Sequence, residues 1–157
     1  MKLWVETDAV NTAGRMVQAK VSEMTKDINR QVASRATRAV NELRNAELDV
    51  LKGQRGKRGD GIHRVYRRYP FKTTYVASAP GEPPARRTGS LRLHWTGTVE
   101  TRPKGSGMEV TAVLESGEKY APLLEHGTRK MAARPFHDRI VERAKPKILQ
   151  IYEASYR

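Results

Sequence analysis

The chain has 157 residues, no cysteine and a formal net charge of +13 at pH 7. This length fits a single domain spanning 1–157. The charge favours an anionic partner, most often nucleic acid, and the alternatives are an acidic neighbouring protein or a surface that only keeps the protein in solution. The absence of cysteine excludes disulfides, thiol catalysis and zinc–cysteine sites, and no apolar run approaches the length that spans a bilayer, so we expect a soluble protein without a membrane partner.

A long N-terminal helix is predicted over residues 7–52. Apolar residues recur there in steps of three and four, which is the period of an amphipathic helix. Gly14 weakens the pattern by about 1 kcal/mol relative to alanine. Because every step between Ile28 and Val40 is four residues, the apolar stripe winds around a straight helix. We expect the helix to bend, or its second half to face a different partner.

Residues 53–70 combine glycine with positive charge and are predicted to form a mobile basic loop. Such a run can neutralise backbone phosphates without reading base sequence, and Tyr66 and Tyr69 could stack on exposed bases. An acidic ring of a neighbouring protein would satisfy the same charge, and charge alone does not separate the two. The candidate DNA-facing side chains are Arg55, Lys57, Arg58, Arg64, Arg67 and Arg68.

The remaining segment, 71–157, is predicted to contain a small antiparallel sheet followed by helices. A first strand is predicted at 73–79 from its β-branched and aromatic residues. Apolar and polar residues alternate over 91–100 and again over 108–115. This pattern predicts a β-hairpin whose loop is 102–107.

Two helices are predicted after the hairpin. Pro122 suits the first turn of a short helix, and Gly127 suits the left-handed conformation that closes a helix. The last helix is predicted from Pro135, with Phe136 opening its apolar face, and Pro146 is expected to kink or split it. The predicted fold class is therefore α+β: a long N-terminal helix, a sheet of about three to four strands, a short helix and a C-terminal helix.

The sequence carries no pattern that predicts catalysis. The four histidines lack partners at the short spacings of zinc sites. Neither a nucleophile elbow nor a phosphate-binding loop occurs, and carboxylates at strand and helix ends are usually solvated or cap a helix. We therefore expect no enzyme, no cofactor and no metal.

Two segments of the sequence contain motifs, each a set of residues in a fixed order. In 83–92 a proline-rich stretch leads into Thr-Gly-Ser-Leu-Arg, and in 120–136 a Tyr-Ala start leads through Glu, Gly and Thr to Met-Ala-Ala-Arg-Pro-Phe. In this order, with a hairpin between them and a long helix before them, they resemble the HK97 gp10-like family of tailed-phage neck and tail-completion proteins. His126 departs from the family, which usually has an aromatic residue there. The motif residues are Thr88, Gly89, Leu91, Tyr120, Glu125, Gly127, Thr128, Arg134, Pro135 and Phe136.

The resemblance implies a structural virion protein of a long-tailed bacteriophage, made in the host bacterial cytoplasm and located at the neck, at the upper end of the tail. It would complete the tail and join the head connector to it, as a homo-oligomeric ring, expected to be hexameric, around the DNA channel. The implied partners are a head-completion or stopper protein, a tail terminator or tube protein, and DNA in the lumen. Thr88 and the Arg134, Pro135 and Phe136 run would fix loops against the sheet, and Glu125 would bond nearby backbone or an arginine. The alternative function is a non-sequence-specific nucleic-acid-binding accessory protein.

Overall fold

The fold is α+β, as predicted. The computed structural model describes residues 8–53, 61–67, 69–70, 72–105 and 107–156. The elements in chain order are α1 Asp8–Val50, β1 Val65–Arg67, β2 Thr74–Val76, α2 Ser90–Leu93, β3 Trp95–Lys104, β4 Gly107–Ser116, α3 Ala121–His126 and α4 His137–Glu153. Within these described ranges the four strands form two separate antiparallel pairs, β1–β2 and β3–β4, rather than one sheet.

The C-terminal half of α1 is the element on which the rest of the protein packs. It contacts α4 and both strands of the β3–β4 hairpin. Small side chains allow this close approach, since Ala36 and Ala39 are buried on the helix. On the hairpin side, a Cβ added to Gly97 would lie 2.3 Å from Val40 Cγ1. The alanine and glycine content of this interface therefore sets how closely the helix and the hairpin approach.

The core lies between α1, α3 and α4. Its buried members are Ala46, Leu51, Ala121, Phe136, Ile140 and Ala144. Trp95, at the start of β3, packs edge-on against Phe136 with ring centroids 6.2 Å apart and an interplanar angle of 86°. Such an edge-to-face pair adds to the apolar burial of both rings.

A buried arginine joins the middle of α1 to the end of α4. Arg35 is 3 % exposed. Its guanidinium donates hydrogen bonds to the carbonyls of Tyr152 (3.2 Å), Ala154 (2.5 Å) and Ser155 (3.0 Å), and it lies 3.7 Å from the centre of the Tyr156 ring. The last carbonyls of a helix have no partner within the helix, so Arg35 satisfies groups that would otherwise need water.

Two sequence-based predictions about the strands were wrong in detail. The segment 91–93 forms the one-turn helix α2 rather than the start of a strand, because Gly89, with φ 96°, turns the chain and its carbonyl accepts bonds from the Arg92 and Leu93 amides at 3.0 Å. Strand β3 begins at Trp95. The strands also continue into the predicted loop 102–107, up to the pair of Lys104 with Gly107.

The predicted mobile loop 53–70 is also only partly a loop. Residues Val65–Arg67 form β1 and pair with Thr74–Val76. The ring of Tyr66 stacks on that of Tyr75 at a centroid distance of 5.5 Å. Cross-strand aromatic packing of this kind stabilises an antiparallel pair, and the sequence reading did not include it.

The C-terminal helix differs from its prediction both in its first residue and in its course at Pro146. It begins at His137, two residues after Pro135, and it continues unbroken through Pro146 to Glu153. The predicted split does not occur. Pro146 removes one backbone donor only, and both Pro146 and Glu142, whose carbonyl loses that donor, are exposed to solvent.

Candidate functional site

Helix α3 separates two cavities, and residues of both motifs line them. The first, the acidic pocket, has a volume of about 900 Å³ and is lined by Trp95, Glu115, Glu118, Glu125, Phe136 and Asp138 among others. The second, the arginine pocket, has a volume of about 550 Å³ and is lined by Arg86, Arg87, Arg92 and Arg134 together with Thr88, Gly89, Leu91, Tyr120 and Leu124 among others. The structure thus brings the two motifs together around one short helix.

Glu125 connects α3 to the start of α4. Its carboxylate oxygen Oε2 accepts hydrogen bonds from the backbone amides of Phe136 (2.9 Å) and His137 (3.1 Å). The first amides of a helix lack partners within the helix, and a negative charge there also interacts favourably with the helix dipole. Phe136 itself is buried in the core. Glu125 therefore fixes the entry of α4 and, with it, the Arg-Pro-Phe end of the second motif.

Gly127 and Thr128 shape the loop between α3 and α4. Gly127 has φ 76° and ψ −178°, so it is not in the left-handed helical conformation that was predicted. This region is accessible in practice to glycine alone, and an added Cβ would lie 2.7 Å from the Ala133 nitrogen. The Thr128 amide donates to the Met131 carbonyl at 2.8 Å, and the Arg134 amide donates to the Leu124 carbonyl at 2.8 Å. These bonds hold Arg134 and Pro135 beside α3.

The first motif is attached to the end of α1. Thr88 Oγ1 lies 3.1 Å from Ser90 Oγ, at the start of α2. The Leu91 carbonyl accepts a hydrogen bond from the indole nitrogen of Trp95. Arg92 Nε donates to the Leu48 carbonyl at 3.1 Å. The segment 88–92 therefore lies in a fixed position between α1 and α3.

Tyr120 joins the second motif to the first. Partial burial raises the pKa of its phenol, with a further contribution from the Glu118 carboxylate, while a hydrogen bond with the Leu91 backbone opposes the shift. The phenol therefore remains protonated at neutral pH and serves as a polar contact between the motifs.

A buried carboxylate that was not predicted from the sequence interacts with Arg92 of the first motif. Glu47 is fully buried and forms an ion pair with Arg44, and its second oxygen, Oε1, has no hydrogen-bond partner among the described residues. Burial raises the pKa of Glu47 to about 7, against the opposing effect of Arg44 and Arg92. In sequence this residue looks like any charged position on a helix, so only its tertiary surroundings reveal it.

The candidate DNA-facing residues are only partly within the described structure. Arg64 and Arg67 are exposed on and beside β1. The other four, Arg55, Lys57, Arg58 and Arg68, lie outside the described residues. Of the two tyrosines expected to stack on bases, Tyr69 is 96 % exposed, whereas Tyr66 stacks on Tyr75.

Three of the four histidines, His63, His94 and His137, each pair with one carboxylate. His94 Nδ1 lies 2.5 Å from Glu118 Oε1, and His63 Nε2 lies 2.9 Å from Glu82 Oε2. In the described part of the chain, no three histidine or carboxylate side chains are grouped as a metal site would require. Within the same ranges, none of the helices combines the length and apolar character needed to cross a bilayer.

The arginines of the first motif and its surroundings are the functional candidates that sequence reasoning passed over. Arg86, Arg87 and Arg92 flank the Thr-Gly-Ser-Leu stretch, and all three line the arginine pocket. Three arginines within seven residues of sequence could have indicated this positively charged pocket.

Comparisons of the chain with protein-family models, with curated proteins and with solved structures gave no match.

Proposed function

We propose that this protein is a structural component of a long-tailed bacteriophage virion, located at the neck, where it completes the upper end of the tail and joins it to the head connector. The observation that supports this most is that the two motifs resembling neck proteins converge on α3. Thr88, Leu91, Tyr120 and Arg134 line one pocket beside that helix, and Glu125 on the helix binds the backbone at Phe136. Residues distant in sequence therefore act as one structural unit.

The N-terminal half of α1 supports an assembled form of the protein. Its apolar residues Met16, Val17, Val21, Met24 and Ile28 are between 47 % and 70 % exposed. A continuous apolar stripe on an otherwise polar helix indicates an interaction surface. In the proposed ring, which we expect to contain six copies, the stripe would be covered by neighbouring subunits through heterologous contacts that close on themselves.

The net charge of +13 supports a position around DNA. In the proposed arrangement, basic residues of 53–70 or of the polar face of α1 (Arg15, Lys26 and Arg30) line the lumen, where phosphate contacts hold DNA without sequence preference. The further neighbours would be a stopper or head-completion protein on one side and a tail terminator or tube protein on the other. In this role the protein has no reaction to catalyse.

The test is an amber mutation of the gene in the phage that carries it. In a non-suppressing host we expect separate filled heads and tails by electron microscopy, with infectivity restored when the wild-type protein is supplied in trans. Joined, infectious particles that lack the protein would falsify the proposal. Density for the protein at the head–tail junction of intact virions would place it directly.

A nucleic-acid-binding accessory protein remains the second candidate because Arg64 and Arg67 are exposed on and beside β1. This alternative predicts that the isolated monomer binds DNA tightly and that affinity falls steeply with salt. The double change Arg64→Gln and Arg67→Gln should weaken that binding and reduce its salt slope by about two, since each contact releases about one counterion. A neck protein would show such binding only after assembly into a ring.

A further inference from the structure

The side chains that line the arginine pocket include positive charges and no negative one. Four arginines line it, and no carboxylate does. Other arginines nearby are paired: Arg44 with Glu47 and Arg143 with Asp49. Arg92 interacts with the buried carboxylate of Glu47. This leaves Arg86 and Arg134 as the arginines to consider, and a pocket whose lining is positively charged favours an anionic ligand.

Arg134 shows this imbalance most clearly. Its Nε is buried and has no hydrogen-bond partner among the described residues, and no ion pair within the described part of the chain joins Arg134 or Arg86 to a carboxylate. A buried donor without an acceptor is costly, and native proteins rarely retain one without a reason. An oxyanion bound in the pocket would supply the missing acceptor.

The other arginines of the pocket are already engaged in part. Arg92 donates to the Leu48 carbonyl, and Arg87 lies 5.6 Å from the centre of the Tyr75 ring. Arg86 lies beside Gly89, with its Nε at an ordinary contact distance of 3.7 Å from a Cβ added there, and no hydrogen bond or ion pair to its side chain is found among the described residues. Arg86 and Arg134 are therefore the two side chains best placed to receive a ligand.

The walls of the pocket indicate the kind of anion. Leu51, Pro84, Leu91, Leu124 and Met131 line it beside the arginines. A duplex backbone presents a convex row of phosphates and no apolar group for such a cavity. A peptide with a carboxylate next to an aliphatic side chain matches both the charge and the apolar walls, and arginine binds carboxylates through two parallel hydrogen bonds.

We propose that the arginine pocket is the docking site for an acidic peptide segment of a partner protein, whose carboxylate pairs with Arg134 and Arg86 while an aliphatic neighbour lies against Leu91 and Leu124. This inference stands independently of the neck role, because it concerns the chemistry of the pocket and applies to any partner that offers such a segment.

The test uses the full chain and a fluorescein-labelled peptide of alternating leucine and glutamate, with the same peptide in glutamine as its control. Fluorescence anisotropy should show binding of the glutamate peptide and none of the glutamine peptide. Arg134→Gln should weaken binding by about tenfold to a hundredfold, the equivalent of one charge-assisted hydrogen-bonded pair. Arg129→Gln, an equal change of charge at an exposed residue outside the pocket, should change it less than about twofold.

A second measurement is independent of whether the variant folds. The Nε–Hε resonance of Arg134 in an NMR spectrum of the wild-type protein should shift on addition of the glutamate peptide and not of the glutamine peptide. Thermal unfolding should show that Arg134→Gln is about as stable as wild type, since the buried Nε of Arg134 has no hydrogen-bond partner among the described residues. An unmoved Arg134 resonance, equal loss of binding in Arg129→Gln, or displacement of the peptide by single-stranded DNA that shifts the same resonance would overturn the proposal.

Discussion

The two halves of α1 carry the same apolar period but differ in their surroundings. In the C-terminal half, Ala36, Ala39 and Val40 are buried against the hairpin and α4. In the N-terminal half, Val17 and Val21 occupy the same stripe and are more than half exposed. The difference teaches that periodicity identifies an apolar face but not what covers it, since valine stands in both halves. The small residues Ala36 and Ala39 mark the half that packs closely within the chain.

The largest expected effect comes from placing a charge in each half of the stripe. Ala39→Glu puts a carboxylate at a residue that is 2 % exposed, and we expect it to lower the free energy of unfolding by about 3 to 5 kcal/mol, because a buried charge without a partner is costly. Val21→Glu, at a residue 56 % exposed, should change monomer stability by less than about 0.5 kcal/mol. Urea unfolding followed by circular dichroism measures both.

Val21→Glu also separates folding from assembly when it is compared with Glu23→Gln. If the N-terminal half is an interface between copies, Val21→Glu should abolish ring formation in analytical ultracentrifugation, while Glu23→Gln on the same turn should leave it intact. If Val21→Glu and Glu23→Gln assembled equally well, the apolar stripe would not be part of the interface.

A smaller change in the free energy of unfolding is expected from the pH titration of a buried carboxylate in the C-terminal half of α1. Since burial raises the pKa of Glu47 from 4.5 to about 7, the folded protein holds this proton more tightly than the unfolded chain does. The contribution of Glu47 to stability is therefore complete below pH 4.5 and is lost as pH rises to about 7, by about 3 kcal/mol. Glu47→Gln should remove this slope, so its stability relative to wild type should increase with pH across the interval.

The comparison needs a matched carboxylate in the exposed half of α1. Glu23 pairs with Lys20 on the solvent side, at 3.3 Å, and Glu23→Gln should shift stability by a constant small amount at all pH values. Urea unfolding at pH 4.5 and at pH 7 measures how the stability of each variant changes with pH. Parallel pH profiles for wild type and Glu47→Gln would show that the buried carboxylate is not the source of the slope.

The smallest changes in stability are expected from two glycines, one packed against the C-terminal half of α1 and one within its N-terminal half. Gly97→Ala should lower the free energy of unfolding by about 1 to 3 kcal/mol, because the new methyl group would overlap Val40 and force the hairpin away from α1. Gly14→Ala, with no atom within 4 Å of the added Cβ, should stabilise the N-terminal half by at most about 1 kcal/mol. Thermal unfolding measures the first, and hydrogen exchange of the α1 amides measures the second. Opposite signs are the expected result.

The sequence predicted what depends on local patterns. The α+β class, the long helix and the hairpin follow from periods of 3.6 and 2. The conversion of 91–93 to a helical turn depends on the conformation of Gly89, and the pairing of Val65–Arg67 with β2 depends on contacts between distant segments. Alternation of apolar and polar residues contains neither kind of information.

The residues of the candidate site could be predicted from the sequence, but their positions relative to one another could not. The motif residues were identified in sequence, yet their division between two pockets on either side of α3 follows from packing. The burial of Glu47 and the unpaired state of Arg134 depend on which residues surround them in space. A single sequence shows the charge of a residue and not whether that charge has a partner.

The bonds made by Glu125 have a consequence for the loop that they enclose. The carboxylate binds the amides of Phe136 and His137, and the Leu124 carbonyl accepts the Arg134 amide. The base of the loop is therefore closed when the protein folds, with exposed Arg129 and Lys130 at its tip. A molecule that touches this positive tip meets a preorganised surface, so little conformational entropy remains to be lost on contact.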